Sequence, residues 1–161
     1  MMGVMYFAPV VSLADKEAHA APAIDPRAPI PFQPMITRSG EGGAVINVST
    51  PNSDGLSVNQ FQSLPAGPEG LIFNDSLTAA TSLIGGQVGA KLNLAGRTAG
   101  TILARVISTG AQHATVLNGP IKIFGNAAAL VIANLDSMSV QGAALTNMRS
   151  LVLTTCVPQF L

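Results

Sequence analysis

The chain has 161 residues, enough for one domain with a tail, and its eight Lys and Arg side chains balance eight Asp and Glu side chains. Only 10% of the residues are charged, against roughly 25% in typical soluble proteins. The zero net charge and the aromatic content of 4% argue against a nucleic-acid-binding protein. The surface is therefore expected to be covered largely by Asn, Gln, Ser and Thr, which is more typical of extracellular β-solenoids and adhesins than of cytosolic enzymes.

The chain begins with an uncharged apolar stretch, residues 1–14, that is too short for a membrane-spanning helix of roughly twenty residues. Ala18-His19-Ala20 then has the small-x-small form of a signal-peptidase site. No basic residue precedes the apolar stretch. Residues 1–20 are therefore interpreted as a signal-peptide remnant, with a disordered or surface-packed N-terminus as the alternative.

Residues 21–43 are rich in proline and end in the flexible stretch "SGEGG". Proline lacks a backbone N–H and disfavours a helical conformation at the preceding residue. This segment is predicted to be an extended linker that lies outside the core.

Short β-like runs recur from residue 44 onward, separated by turn residues such as Asn118-Gly119-Pro120. This pattern predicts an all-β fold. Evidence for helices is weak, with one or two turns conceivable at residues 77–84 and an ambiguous pattern at 96–105. The predicted strands are residues 44–48, 56–61, 70–74, 101–107, 115–124, 128–133 and 151–155.

The pattern alone leaves a sandwich, a barrel and a solenoid open. Two features favour a solenoid. The run Leu130-Val131-Ile132-Ala133 is continuously apolar, whereas a strand with one solvated face would alternate. Several turns also contain Asn, which tolerates the left-handed backbone conformation of tight corners. No strict repeat of fixed length is present, which counts against a regular solenoid.

A set of motifs in fixed order then resembles one known family. The set comprises "GLSVNQFQS", "GLIFNDS", "GGQVGAKLNL", "LNGPIKIFGN", "VIANLDSM" and "LTTCVP". Together they are similar to the two-partner secretion domain, also called the filamentous haemagglutinin N-terminal domain, of Gram-negative exoproteins such as adhesins and contact-dependent inhibition toxins. The resemblance covers residues 44–160, and residues 44–161 are taken as the domain. It implies a right-handed parallel β-helix with short capping strands at its N-terminal end.

The resemblance also implies a function. Such a domain directs the secretion of a large exoprotein and nucleates its folding, and it is recognised by the periplasmic modules of an outer-membrane β-barrel transporter. The protein would be secreted or exposed on the cell surface after passing through the periplasm. The resemblance implies neither an enzyme, nor a cofactor, nor a nucleic-acid or small-molecule partner.

Candidate recognition residues follow from two family motifs. The family's Asn-Pro-Asn-Leu corresponds here to residues 91–94, where Asn93 and Leu94 agree. Its Asn-Pro-Asn-Gly-Ile corresponds to residues 134–138, where Asn134 agrees and Asp136 is close in shape. The alternative for the asparagines is a corner residue that bonds its own backbone. The complete set of candidates is Asn93, Leu94, Asn134, Asp136, and Asn59 and Gln62 on either side of Phe61.

Two other functions stay open. A stand-alone adhesive or structural β-solenoid fits the same composition. A polysaccharide-active β-helix enzyme would need paired carboxylates, which are few and dispersed in this sequence. A metal site is not expected, because His113 has no second His, Cys or acidic residue near it.

Overall fold

The computed structural model describes residues 21–91, 95–107 and 114–160. Within these ranges the chain forms fourteen strands and one short 3-10 helix, Ile30–Phe32, and none of the helical structure there is long and apolar enough to cross a membrane. The strands are β1 (Ala23–Ile24), β2 (Met35–Arg38), β3 (Ala44–Asn47), β4 (Leu56–Ser63), β5 (Leu71–Asp75), β6 (Ala80–Ser82), β7 (Gly86–Val88), β8 (Thr101–Val106), β9 (Thr115–Leu117), β10 (Ile121–Gly125), β11 (Ala128–Asn134), β12 (Met138–Val140), β13 (Leu145–Thr146) and β14 (Met148–Thr154).

Most strands stack in parallel into the faces of a β-helix. One face consists of β4, β8, β11 and β14, and the second of β3, β5, β10 and β13. A third face pairs β9 with β12 and is extended by a bridge from Ala66 to Leu117. Along the chain, successive strands lie on the second, first and third faces in turn. Each such coil therefore adds one parallel segment to each face. The predicted parallel β-helix is confirmed.

The interior of the β-helix is largely apolar, and its side chains come from alternate residues of each strand, which point inward and meet their counterparts in the next coil. Leu71 pairs in register with Ile121, and Phe73 pairs with Ile123. All four side chains are completely buried, and burial of each such side chain contributes about 1.5–3 kcal/mol. The stacked rows, rather than any single coil, therefore form the core.

The predicted strands from residue 44 onward are confirmed with small differences at their ends. The predicted strand at 115–124 is two strands, β9 and β10, because the Asn118-Gly119-Pro120 turn moves the chain to the next face. Residues 77–84, where helical turns were conceivable, instead contain β6, which pairs with β7 in an antiparallel hairpin. Val88 of this hairpin packs against the outward-facing Val45 and Ile72 and buries them.

The N-terminal segment differs from the predicted linker. Strand β1 pairs antiparallel with β4, β2 pairs antiparallel with β3, and Ala28 between them is buried. The prolines of residues 21–34 flank β1 and β2 and do not interrupt them, so every strand residue keeps its backbone N–H. These are capping strands at the N-terminal end of the β-helix, as the family resemblance implied. The signal-peptide interpretation concerns residues 1–20, which lie outside the described residues.

Candidate functional site

The corner between β11 and β12 is organised by Asn134, the last residue of β11. Its Oδ1 accepts a hydrogen bond of 2.9 Å from the backbone N–H of Asp136, which closes an Asx turn. Its Nδ2 donates a 2.8 Å hydrogen bond to Oγ1 of Thr115, at the start of β9 in the preceding coil. Asn134 and Thr115 are both completely buried. Asn134 therefore shapes a corner and ties two coils together.

The residues that follow Asn134 point outward. Leu135 is 46% exposed, and Asp136 and Ser137 are exposed as well. The corner forms without the proline and glycine of the family motif because the side-chain amide of Asn134 supplies the turn's hydrogen bond. The exposed surface of this corner is therefore formed by Leu135, Asp136 and Ser137, and Asn134 shapes the turn from inside.

Asn59 lies inside the β-helix and joins three segments. Its Oδ1 accepts a 2.7 Å hydrogen bond from the backbone N–H of Ser49. Its Nδ2 donates to the backbone oxygens of Ser57 and Leu103, each at 3.2 Å. The side chain is completely buried, so Asn59 fastens the loop after β3 to the neighbouring strands β4 and β8.

The remaining sequence candidates lie elsewhere. Gln62 is exposed on β4, on the opposite face of that strand from Asn59. Asn93 and Leu94 lie outside the described residues. Asn59 and Asn134 both point into the interior of the same face, with strand β8 between their strands. The described candidates do not converge on one surface cleft.

Sequence reasoning missed Thr115 and Ser49, the buried partners of the two asparagines. A polar residue at the start of an otherwise apolar strand, as in Thr115-Val116-Leu117, is the signal that marks such a partner. No group of three or more His, Cys, Asp or Glu side chains suited to a metal ion occurs among residues 21–91, 95–107 and 114–160.

Comparison with known proteins places the chain in a family. The family described as the TPS secretion domain matches residues 21–160. The chain is 37% identical over 126 residues to the filamentous hemagglutinin of Bordetella pertussis, covering 78% of this chain and 3% of that protein. It is 37% identical over 114 residues to a hemolysin of Serratia marcescens, covering 71% of this chain and 7% of that protein.

Two further comparisons point to the same family. The chain is 33% identical over 124 residues to the tRNA nuclease CdiA of Yersinia mollaretii, covering 76% of this chain and 4% of that protein. The crystal structure of the filamentous hemagglutinin secretion domain superposes with a TM-score of 0.74 at 36% identity, over 80% of this chain and 42% of that one. The chain thus spans only a small part of the length of the curated relatives it matches. By its sequence match and its β-helix, the chain belongs to the TPS secretion domain family.

Proposed function

We propose that this domain is a secretion-targeting module that an outer-membrane β-barrel transporter recognises through periplasmic modules. One observation carries the proposal. Proteins named hemagglutinin, hemolysin and tRNA nuclease share this segment, which makes up 3%, 7% and 4% of their respective lengths. A small segment common to proteins with such different names serves a step that all of them need, and delivery out of the cell is such a step. No catalytic activity is assigned to the module itself.

The last coil supports a second role, the nucleation of folding. Leu145 pairs in register with Ile121 of the preceding coil. Ile121 is completely buried, whereas Leu145 is 48% exposed. A further coil stacked on β13 would bury Leu145 as β13 buries its neighbour, because each coil of a solenoid contacts only the adjacent coils. The domain therefore offers a template on which an exported chain continues the β-helix.

Recognition before folding is compatible with the composition. An extended, strand-forming segment of low charge can add to the sheet edge of a periplasmic module through main-chain hydrogen bonds. The exported protein passes through the periplasm and is then secreted or exposed on the cell surface.

The proposal predicts export that depends on a transporter. The chain is produced in a Gram-negative host with and without its cognate barrel, and the medium is assayed for the folded domain. We expect the domain in the medium only when the barrel is present. Equal amounts in both cultures would overturn the targeting function and favour a stand-alone adhesive or structural β-solenoid.

The β11–β12 corner provides a second prediction. Two variants distinguish the internal hydrogen bonds of the corner from its exposed side chains. Asn134→Ala removes the hydrogen bonds to Asp136 and Thr115, and we expect the free energy of unfolding to fall by about 1–3 kcal/mol. Leu135→Ala changes an exposed side chain, so stability should stay within about 0.5 kcal/mol of the parent.

If a partner binds this corner, Leu135→Ala should lower transporter-dependent export although the variant is as stable as the parent. Stability is measured by urea unfolding followed by circular dichroism, and export by the medium assay. Export that simply follows stability in both variants would show that the corner is only structural.

A further inference from the structure

Strand β2 ends its sheet at the N-terminal end of the β-helix. It pairs on one side with β3, which pairs in turn with β5. No strand pairs with its other side among residues 21–91, 95–107 and 114–160. Strand β1 ends the sheet of the first face in the same way but has only two residues, against four in β2. The edge of β2 is therefore the longer strand edge that the cap leaves open.

The hydrogen-bond pattern of the β2–β3 hairpin shows which backbone groups face this edge. The N–H of Ser39 donates to the oxygen of Gly43 at 2.9 Å where the hairpin closes. Hydrogen-bonded and non-hydrogen-bonded residues alternate along an antiparallel pair, so Thr37 bonds to β3 whereas Ile36 and Arg38 do not. The backbone N–H and C=O groups of Ile36 and Arg38 consequently point away from β3. In the described part of the chain no hydrogen bond uses them.

A cleft lies on each side of β2. The larger one, of about 420 Å³, is lined by Ile36 and Ala44, and Ile36 packs against the interior cluster. The smaller one, of about 190 Å³, is lined by Met35 and Asn47. Side chains alternate between the two sides of a strand, so a strand added to β2 would place successive side chains in the two clefts in turn.

The larger cleft carries carboxylates that lack a cationic partner. Glu41 and Glu69 both line it, and both are exposed. Neither forms a salt bridge with a described residue. Arg38 also lines the cleft, but its Nη1 donates to the backbone oxygen of Gly42 at 3.2 Å. The charge of the two carboxylates is complementary to a cationic side chain of a bound partner.

We propose that the free edge of β2 binds an extended peptide as an added strand, and that this peptide places a Lys or Arg side chain in the larger cleft beside Glu41 and Glu69. Main-chain hydrogen bonds to Ile36 and Arg38 supply affinity, and the two clefts select alternate side chains. The site belongs to the folded domain and does not depend on a transporter.

A titration followed by nuclear magnetic resonance tests the proposal on the full 161-residue chain. The probe is the peptide acetyl-Thr-Val-Thr-Arg-Thr-Val-Thr-amide, whose Arg and Val side chains share one side of a strand. We expect saturable shifts of the Ile36 and Arg38 amides, with little change at Ile132 in β11. A control peptide with Glu in place of Arg should bind at least about fivefold more weakly.

Two N-methylated probes test pairing through the main chain. One carries methyl groups on the N atoms of Val and Arg, and the other carries them on the N atoms of the three internal or terminal Thr residues that alternate with them. Only one set of N–H groups faces β2, so one methylated probe should lose binding and the other should keep it. An equal effect of the two methylations would contradict strand addition.

Protein variants test the edge and the charges separately. Arg38→Pro removes an N–H on the free edge, where proline is tolerated, and should weaken binding at least about tenfold. Arg38→Ala keeps this N–H and removes a positive charge, so it should bind the probe at least as tightly as the parent. Each variant is checked for a parent-like circular dichroism spectrum.

The double variant Glu41→Gln/Glu69→Gln should bind the probe at least about threefold more weakly, and more salt should weaken binding to the parent. Asp54→Asn removes an exposed carboxylate outside the lining of the cleft and should have little effect.

Three results would overturn the proposal. The first is the absence of saturable shifts at Ile36 and Arg38 up to roughly 2 mM probe. The second is equal affinity for the Arg and Glu peptides, which would remove the role of the carboxylates. The third is concentration-dependent self-association through β2 without peptide, which would make a second copy of the chain the occupant of the edge.

Discussion

Gly119→Ala is expected to destabilise the domain by more than about 3 kcal/mol, because the added methyl group has no room. Gly119 lies in the turn between β9 and β10, directly against Gly67 of the preceding coil. An alanine Cβ would overlap the backbone oxygen of Gly67 and lie 2.7 Å from its carbonyl carbon. These are backbone atoms, so no side-chain rotation can relieve the overlap.

The two coils also cannot separate freely at this corner. The N–H of Ala66 donates to the oxygen of Val116 at 3.0 Å, and the N–H of Asn118 donates to the oxygen of Ala66 at 2.8 Å. Relieving the overlap would break these hydrogen bonds. The destabilisation is measured by urea unfolding followed by far-ultraviolet circular dichroism.

Gly89→Ala is the matched control. No described atom lies within 4 Å of an alanine Cβ at that position, so stability should change by no more than about 0.5 kcal/mol. Equal unfolding midpoints for the two variants would show that the close approach of the coils at Gly119 has no energetic consequence.

Asn59→Ala should lower the free energy of unfolding by about 3 kcal/mol, since it leaves buried polar groups without partners. The backbone N–H of Ser49 would lose its 2.7 Å acceptor, and the backbone oxygen of Leu103 would lose a donor at 3.2 Å. A small cavity would also form next to the completely buried Ser57. The loop between β3 and β4 would then be held less firmly.

Gln62→Ala on the same strand provides the control for Asn59→Ala. Gln62 is exposed, and its truncation should leave the unfolding midpoint nearly unchanged. Both variants are compared in urea and then in the export assay. If Asn59→Ala unfolds at the parent midpoint, the interior hydrogen bonds of Asn59 contribute nothing to stability.

The longer strands from residue 44 onward were predictable because each contains an apolar run between turn residues, whereas the short strands β6, β7, β12 and β13 were not predicted. Runs such as Leu130-Val131-Ile132-Ala133 are apolar on both faces, and the structure buries Leu130 and Ile132 in the interior and Val131 and Ala133 on the outer side. The all-β class and most strand positions follow from such runs and from the turns between them. The parallel β-helix was identified through the ordered motifs.

The N-terminal segment shows where local patterns fail. Among residues 21–43 the prolines leave only the short 3-10 helix Ile30–Phe32 and no α-helix. Two short stretches of the same segment, β1 and β2, are nevertheless strands. Two residues such as Ala23 and Ile24 carry too little pattern to predict a strand. They become one because β4 offers an unpaired edge.

For the candidate functional residues too, the sequence indicated some features and only the structure showed the others. Sequence marked Asn59 and Asn134 as unusual, but only the structure shows that both side chains point inward and that Leu135, Asp136 and Gln62 are the exposed ones. It also brings the carboxylate of Asp75 to the backbone N–H of Ala99, a contact that no local pattern indicates because 24 residues separate the two in the chain.

The sequence by itself therefore determined the strand-forming runs, the polar corners and, through its ordered motifs, the family. Tertiary structure decided which polar residues are buried and which turns of neighbouring coils touch. The physical reason is that strand propensity and alternation act over a few neighbouring residues. Burial and electrostatics in a β-helix depend instead on the register between coils, and this register joins residues far apart in the chain, as it joins Asn59 to Leu103.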